Sequence, residues 1–184
     1  MVESLRPGDP IDYVVTYLEM AERPRTPVPA RPANLQTALI RAEKPPKEYF
    51  LYLYQTVGAA HEWTDWLEKS EEEIEEFIHR KGIFLYTLMV DGWPGGFFML
   101  DSSVPGTCDL AYFGLVPQAI GRGLGRWLLA TAVETGWDLP GTEKMTVNTN
   151  TLDHPRALPM YQRVGFVPAR QEKMTRTLTR ERAG

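Results

Sequence analysis

Cysteine is almost absent from this chain. The single Cys108 cannot form an internal disulfide and has no cysteine or histidine neighbour at metal-ligand spacing, so a disulfide scaffold is excluded and no metal site is expected. Cys108 reads as a small, inert residue. Positive charge is also in short supply, with 20 Lys and Arg against 24 Asp and Glu and a net charge of −4. Nucleic acid is therefore not expected as the main partner, because phosphate backbones are held by clustered basic side chains. A cationic or amine substrate suits the balance better. No long apolar run is present, and the opening "MVESLRPGDPIDYVV" lacks a basic start, an apolar stretch and a small-residue cleavage site. The expectation is a cytoplasmic protein with no membrane partner.

What is present suits one domain with a sizeable core. The 184 residues are 43% hydrophobic and 24% charged, which argues against disorder and repeat architectures. "DYVVTYLEM", residues 12 to 20, is β-branched and aromatic and predicts a first strand. A proline-rich loop at about residues 23 to 32 forbids regular structure. Pro45 and Pro46 suit the entrance of an aromatic-rich helix reaching Trp63, and "SEEEIEEFIHRK" carries Ser70 and Glu73 at capping-box spacing before Ile74, Phe77 and Ile78. Asp91-Gly92 between two apolar runs predicts a hairpin, with Pro94 pointing to an edge or a longer loop. "CDLAYFGLV" predicts the next strand, and a helix then runs to Trp137 on a stripe of Gly125, Leu128, Leu129, Ala132, Val133 and Gly136. "KMTVNTN", a short helix closing at Gly165, and "EKMTRTL" follow, and the tail "TRERAG" is expected to fray. The order implies an α/β fold: a mixed, mostly antiparallel central sheet with helices on both faces and one βαβ crossover.

The stretch "AYFGLVPQAIGRGLGRWLLATAVETGW" passes from strand through glycines 121, 123 and 125 into a helix, which is the build of an anion site. A P-loop requires a second glycine five residues after the first, followed by Lys, and five residues after Gly121 stands Arg126. The dinucleotide fingerprint requires its third glycine one residue later, and Arg126 again stands there. An unrelated nucleotide-phosphate binder and a purely packing role for the glycines both stay open at this level.

"GRGLG" after "FGLVP", followed beyond one strand by "HPRALPMYQRVGF", resembles the two diagnostic blocks of the GNAT N-acetyltransferases. Gly123 and Gly125 match the glycines of the first block, whose opening Gln or Arg is replaced by Ile120. Ala157, Tyr161, Gly165 and Phe166 match the second, with His154 in the usual Asn position. The resemblance implies a single domain over residues 1 to 184, with a helical substrate-side segment at about 45 to 81 and a cofactor-binding core at about 83 to 178. It implies acetyl-CoA as co-substrate without a metal, held by Leu115, Val116, Gly121, Arg122, Gly123, Leu124, Gly125 and Arg126. In that scheme backbone N–H groups at Leu115 and Val116 hold the pantetheine arm and the thioester oxygen, while Arg122 and Arg126 neutralise phosphate.

The implied reaction is acetyl transfer to a primary amine by direct attack. Tyr161 falls on the family's general acid for the leaving thiolate. Asp109, opening the strand before the glycine turn, is the expected base, with His154 its rival. His61 and Trp63 are expected to meet the acceptor within a wall that also draws on Tyr52, Tyr54, Trp66, Glu62 and Asp65. A non-catalytic acyl-CoA binding or regulatory module is the alternative. The expected acceptor is a small-molecule or peptide amine, and a homodimer is left open.

Overall fold

Alternating and continuous apolar runs give seven strands: β1 (Pro10–Met20), β2 (Thr37–Ala42), β3 (Ile83–Val90), β4 (Trp93–Asp101), β5 (Thr107–Leu115), β6 (Lys144–Asn150) and β7 (Val167–Thr177). Four helices accompany them: α1 (Lys47–Gly58), α2 (Glu71–His79), α3 (Leu124–Asp138) and α4 (Ala157–Val164). The computed structural model describes residues 5–182. The strands form one sheet in the order β2-β3-β4-β5-β6-β1-β7. Every neighbour pair is antiparallel except β5 with β6, which α3 connects in a βαβ crossover. This is the mixed sheet that the element order predicts.

Helices cover both faces. On one, Gly136 of α3 lies against Met145 and Cys108, and Tyr161 of α4 meets Phe113. On the other, Phe50 and Tyr54 of α1 pack edge-on to Tyr112, and Val57 touches Gly114. The core sits between these layers, with Phe97, Phe98, Met99 and Leu100 of β4 fully buried. A residue run buried on both sides is what a central strand with two helical layers demands.

Local signals account for most element ends. Ser70 Oγ accepts from the Glu73 amide at 3.2 Å and Glu73 returns the bond to the Ser70 amide at 2.9 Å, the capping box read from spacing. Asp91 and Gly92 form the hairpin tip with φ of 50° and 90°. Pro94 corrects the expectation of an edge or long loop, because β4 is internal. The register shifts between Leu88 and Met89, so Met89 faces Pro94 and Gly95 is the extra residue, a bulge that relieves the ladder of the missing N–H. The predicted helix to Trp63 ends earlier, at Gly58, and passes into a 3₁₀ turn over Ala59–His61. β2, with a half-exposed edge pattern, had no signal strong enough to read. The tail is tied rather than frayed as far as Arg182, which pairs with Leu5, and Thr179 donates through its amide and hydroxyl to Glu62; the last two residues lie outside the described chain.

Gly58 lets the Trp63 side chain fold back onto the end of α1. A Cβ there would lie 2.3 Å from Trp63 Cβ and 2.5 Å from ring atoms. Overpacking of this kind costs about 1–3 kcal/mol, against a gain of up to about 1 kcal/mol from alanine's better helix propensity. Gly58→Ala is therefore expected to lower the urea midpoint without changing the slope of the transition.

Candidate active site

The site originates where two strands stop pairing. β5 and β6 are in register only from Thr107, Cys108 and Asp109 to Lys144, Met145 and Thr146. In the same region β5 carries an extra residue against β4, since Met99 faces Tyr112 while Leu100 faces Leu110, leaving Ala111 as a bulge. Side chains alternate along a strand, so one added residue exchanges the faces beyond it. Cys108 accordingly points to α3, whereas Tyr112 points to α1; past the bulge, Phe113 and Leu115 face α4 and α3 while Gly114 faces α1.

Backbone direction follows from the same register. The Val116 amide donates to the Gly95 carbonyl at 3.0 Å, inside the β4 side of the sheet. Hydrogen-bonding direction alternates in an antiparallel pair, so the Leu115 and Phe113 amides point the other way, into the gap left by β6. The Leu115 amide thus faces the gap, whereas the Val116 amide is engaged with β4 and its side chain is buried.

A cavity of about 330 Å³ runs through this gap and connects the two faces of the sheet. On the α3 side it is lined by Gly121, Gly123, Leu124, Gly125, Arg126, Met160 and Tyr161; on the α1 side by Val57, His61, Trp63, Tyr112 and Asn148, with Asp153 and His154 alongside. Gly121 and Gly123 have φ of +81° and +79°, a region costly for residues with a Cβ. Close packing is not the reason for these glycines, because a Cβ at Gly121 would meet nothing within 4 Å and one at Gly125 would make only ordinary contacts, at 3.6 Å to Leu115. Gly123 is the N-cap of α3, with no side-chain cap and no acidic residue in the first turn. The first-turn amides of α3 therefore keep their hydrogen-bonding capacity and positive dipole end for an anion.

Two of the expected residues lie elsewhere. Arg122 points out of the cavity and pairs with Asp91 at the β3–β4 tip at 2.6 Å. That carboxylate also accepts from the Gln36 amide at 3.3 Å, and its pKa is lowered, chiefly by Arg122. Asp109 sits at the closed end of the strand pair, where it accepts from Thr146 Oγ1 at 2.5 Å. Burial raises its carboxyl pKa against that hydrogen bond, with Asp101 opposite adding to the rise. Arg126, Tyr161, His61 and Trp63 are brought together around the cavity.

The α1 side is fixed by contacts the sequence did not signal. Trp63 Nε1 donates to Asp153 Oδ1 at 3.2 Å, across 90 positions, while Asp153 Oδ2 accepts from Thr149 Oγ1 and the Asn150 amide at 2.9 and 3.0 Å. Trp66 Nε1 donates to the Tyr112 hydroxyl at 2.7 Å, and burial pushes that phenol up to about 12. His154 Nδ1 accepts from the Arg156 amide at 3.1 Å, the helix-entry role its position suggests. Glu62 turns to Thr179, Asp65 is exposed beside Arg176, and Tyr52 is exposed, so none of the three joins the wall. Tyr161 is buried, and desolvation raises its phenol well above the ordinary value, keeping it protonated at neutral pH.

The model described as the Acetyltransferase (GNAT) family matches residues 35–166. The chain belongs to the GNAT acetyltransferase family. A GCN5-related N-acetyltransferase from Sphaerobacter thermophilus, 13% identical, superposes on 94% of this GNAT chain and 52% of its own with a TM-score of 0.62. One from Kribbella flavida, 18% identical, covers 93% and 57% with a TM-score of 0.58. An aminoglycoside N-acetyltransferase solved in complex with CoA, 19% identical, covers 77% and 95% with a TM-score of 0.53. Identities this low carry the fold alone. The chain spans 54–61% of the length of three of the longer solved relatives. No curated protein matches it. Among the described residues of this GNAT protein, no helix is long and apolar enough to cross a membrane.

The state of Asp109 gives a test with a definite sign. A carboxyl whose folded pKa is raised contributes its stability below the unfolded pKa and loses it as pH rises through the folded value. Asp109→Asn, which cannot ionise and can still accept from Thr146, is expected to gain thermal stability relative to the wild type as pH rises from 4 to 7. A melting-temperature difference that stays flat or shrinks over that range would contradict the burial assigned to Asp109.

Proposed function

We propose that this GNAT protein transfers the acetyl group of acetyl-CoA to a primary amine by direct attack. The observation that carries the reading is the single cavity crossing the sheet between β5 and β6, with an anion-ready helix start at one end and an aromatic, acidic wall at the other. The glycine turn fits a pyrophosphate because its conformation and space leave room for close approach to the α3 amides. Arg126 adds positive charge there. The Leu115 amide, pointed into the gap, is suited to hold a thioester oxygen as charge develops on it. Tyr161, kept protonated by burial, is suited to give its proton to the departing sulfur.

The acceptor end favours a cation. Trp63 and Tyr112 supply aromatic surface, and the Asp153 side chain lies beside it, held by hydrogen bonds from Trp63 and Thr149. A small-molecule or peptide ammonium group could be drawn in by both. Val116, Arg122 and Asp109 have no part in this scheme, since their functional groups are engaged elsewhere.

Calorimetric titration of Gly123→Val with acetyl-CoA tests the cofactor end. A β-branched residue at positive φ distorts the turn, so affinity should fall by at least tenfold, about 1.4 kcal/mol, in a protein that still unfolds cooperatively. Normal affinity would leave the glycine turn without a ligand. Tyr161→Phe separates a transferase from a passive acyl-CoA module: acetyl-CoA binding should persist while thiol release over a panel of amines drops by about 100-fold or more. Unchanged release would remove Tyr161 as the acid.

A further inference from the structure

Removing Asp109 from the cavity leaves the reaction without its expected proton acceptor, and the groups that do line the cavity can be sorted by which lone pairs are free. Asp153 accepts from Trp63, Thr149 and the Asn150 amide, which fill three of about four acceptor sites on its two oxygens and hold the carboxylate in place. His154 spends the lone pair of Nδ1 on the Arg156 amide. Tyr112 accepts from Trp66, and burial keeps Tyr112 and Tyr161 protonated. Arg126 and Arg156 have no lone pair to offer.

His61 remains. It ends the 3₁₀ turn Ala59–His61 on the α1 side of the cavity, two residues from Trp63 and with its ring 6.4 Å from that of His154. A neutral imidazole carries one ring nitrogen with a free lone pair, and burial favours that neutral form here. We propose that His61 is the general base, taking the proton of the acceptor amine at its unprotonated ring nitrogen. This rests on the transferase reading above and adds the residue that reading lacks.

The step balances without a further reactant. The amine nitrogen bonds to the thioester carbonyl carbon and the carbon–sulfur bond breaks. The amine attacks in its neutral form after its ammonium proton has gone to solvent; the proton its nitrogen sheds on forming the amide goes to His61, and the departing sulfur takes the proton of Tyr161. His61 and Tyr161 then return to their starting states by proton exchange with solvent. The charged neighbours facing His61 are Asp153, which favours its cationic form, and His154 and Arg182, which oppose it; burial is the largest influence and holds the imidazole below the ordinary histidine range. A base that is already neutral at physiological pH, beside a carboxylate that stabilises the cation formed on proton transfer, meets both requirements of the step.

The test uses the full chain and three readouts. His61→Gln is expected to lower kcat by about 100-fold while the calorimetric Kd for acetyl-CoA stays within twofold, and Asp109→Asn is expected to keep wild-type turnover. In the wild type, kcat/KM should fall on the acid side with a midpoint equal to the pKa of His61 measured by NMR titration of its ring, and His61→Gln should lose that limb. Wild-type turnover in His61→Gln, or a limb midpoint more than one pH unit from the NMR value, overturns the assignment and leaves the transferase reading standing. Acetyl-CoA binding by the wild type with no thiol release from any amine overturns both. The NMR comparison decides even where the variant fails to fold.

Discussion

The rest of this molecule depends on the early end of one strand pairing. β5 and β6 share a ladder of three residue pairs and then separate, and the backbone amides of β5 that would have continued it face a cavity instead. Unpaired backbone groups away from water are expensive, so such a gap persists only where neighbouring elements hold it open and polar partners can enter. Here the Ala111 bulge does part of this by exchanging the faces of β5, sending Tyr112 into the α1 layer and Phe113 and Leu115 toward α4 and α3. Each layer is anchored by a side chain of the strand that lines the gap.

The two helical layers consequently meet the cavity with different chemistry. The α3 side offers backbone amides and a dipole end, fixed by glycine conformations that no neighbouring atom enforces. The α1 side offers side chains, fixed by long-range bonds such as Trp63 to Asp153 and Trp66 to Tyr112. A site that joins a backbone half to a side-chain half allows the first to be shared by many proteins of one fold while the second varies.

That division also explains what could be read from the chain. The glycine turn, the Tyr161 spacing, the capping box at Ser70 and the Asp91-Gly92 hairpin are local patterns, and each is where its spacing predicts. Asp109 lies on the strand its local pattern predicts, but whether a residue lies in the splayed or the closed part is decided by β6, 37 positions away, and no local pattern carries that. Arg122 sits in the turn as expected, yet its partner Asp91 is 31 positions distant. The acceptor wall was legible only as an aromatic-rich segment. Which of its members face the cavity depends on where α1 stops, which in turn depends on Gly58 and Trp63. Pro94 misled for the opposite reason: its missing donor is a local fact, and the bulge at Gly95 that absorbs it is a property of the pair.

β1 lies between β6 and β7, so the first strand of the chain fills a slot whose two walls are made last. Tyr17 of β1 reaches Glu172 of β7 across 155 positions. Closing so long a loop carries an entropic cost that must be met before the pairing returns anything, which slows folding in chains of high contact order. During synthesis, the segment "DYVVTYLEM" has no strand to join until β6 has left the ribosome, and its apolar residues stay uncovered until then. The arginines and prolines that follow it, from Arg23 to Pro32, resist continued strand growth next to that waiting segment, as charges and proline do beside aggregation-prone strands generally.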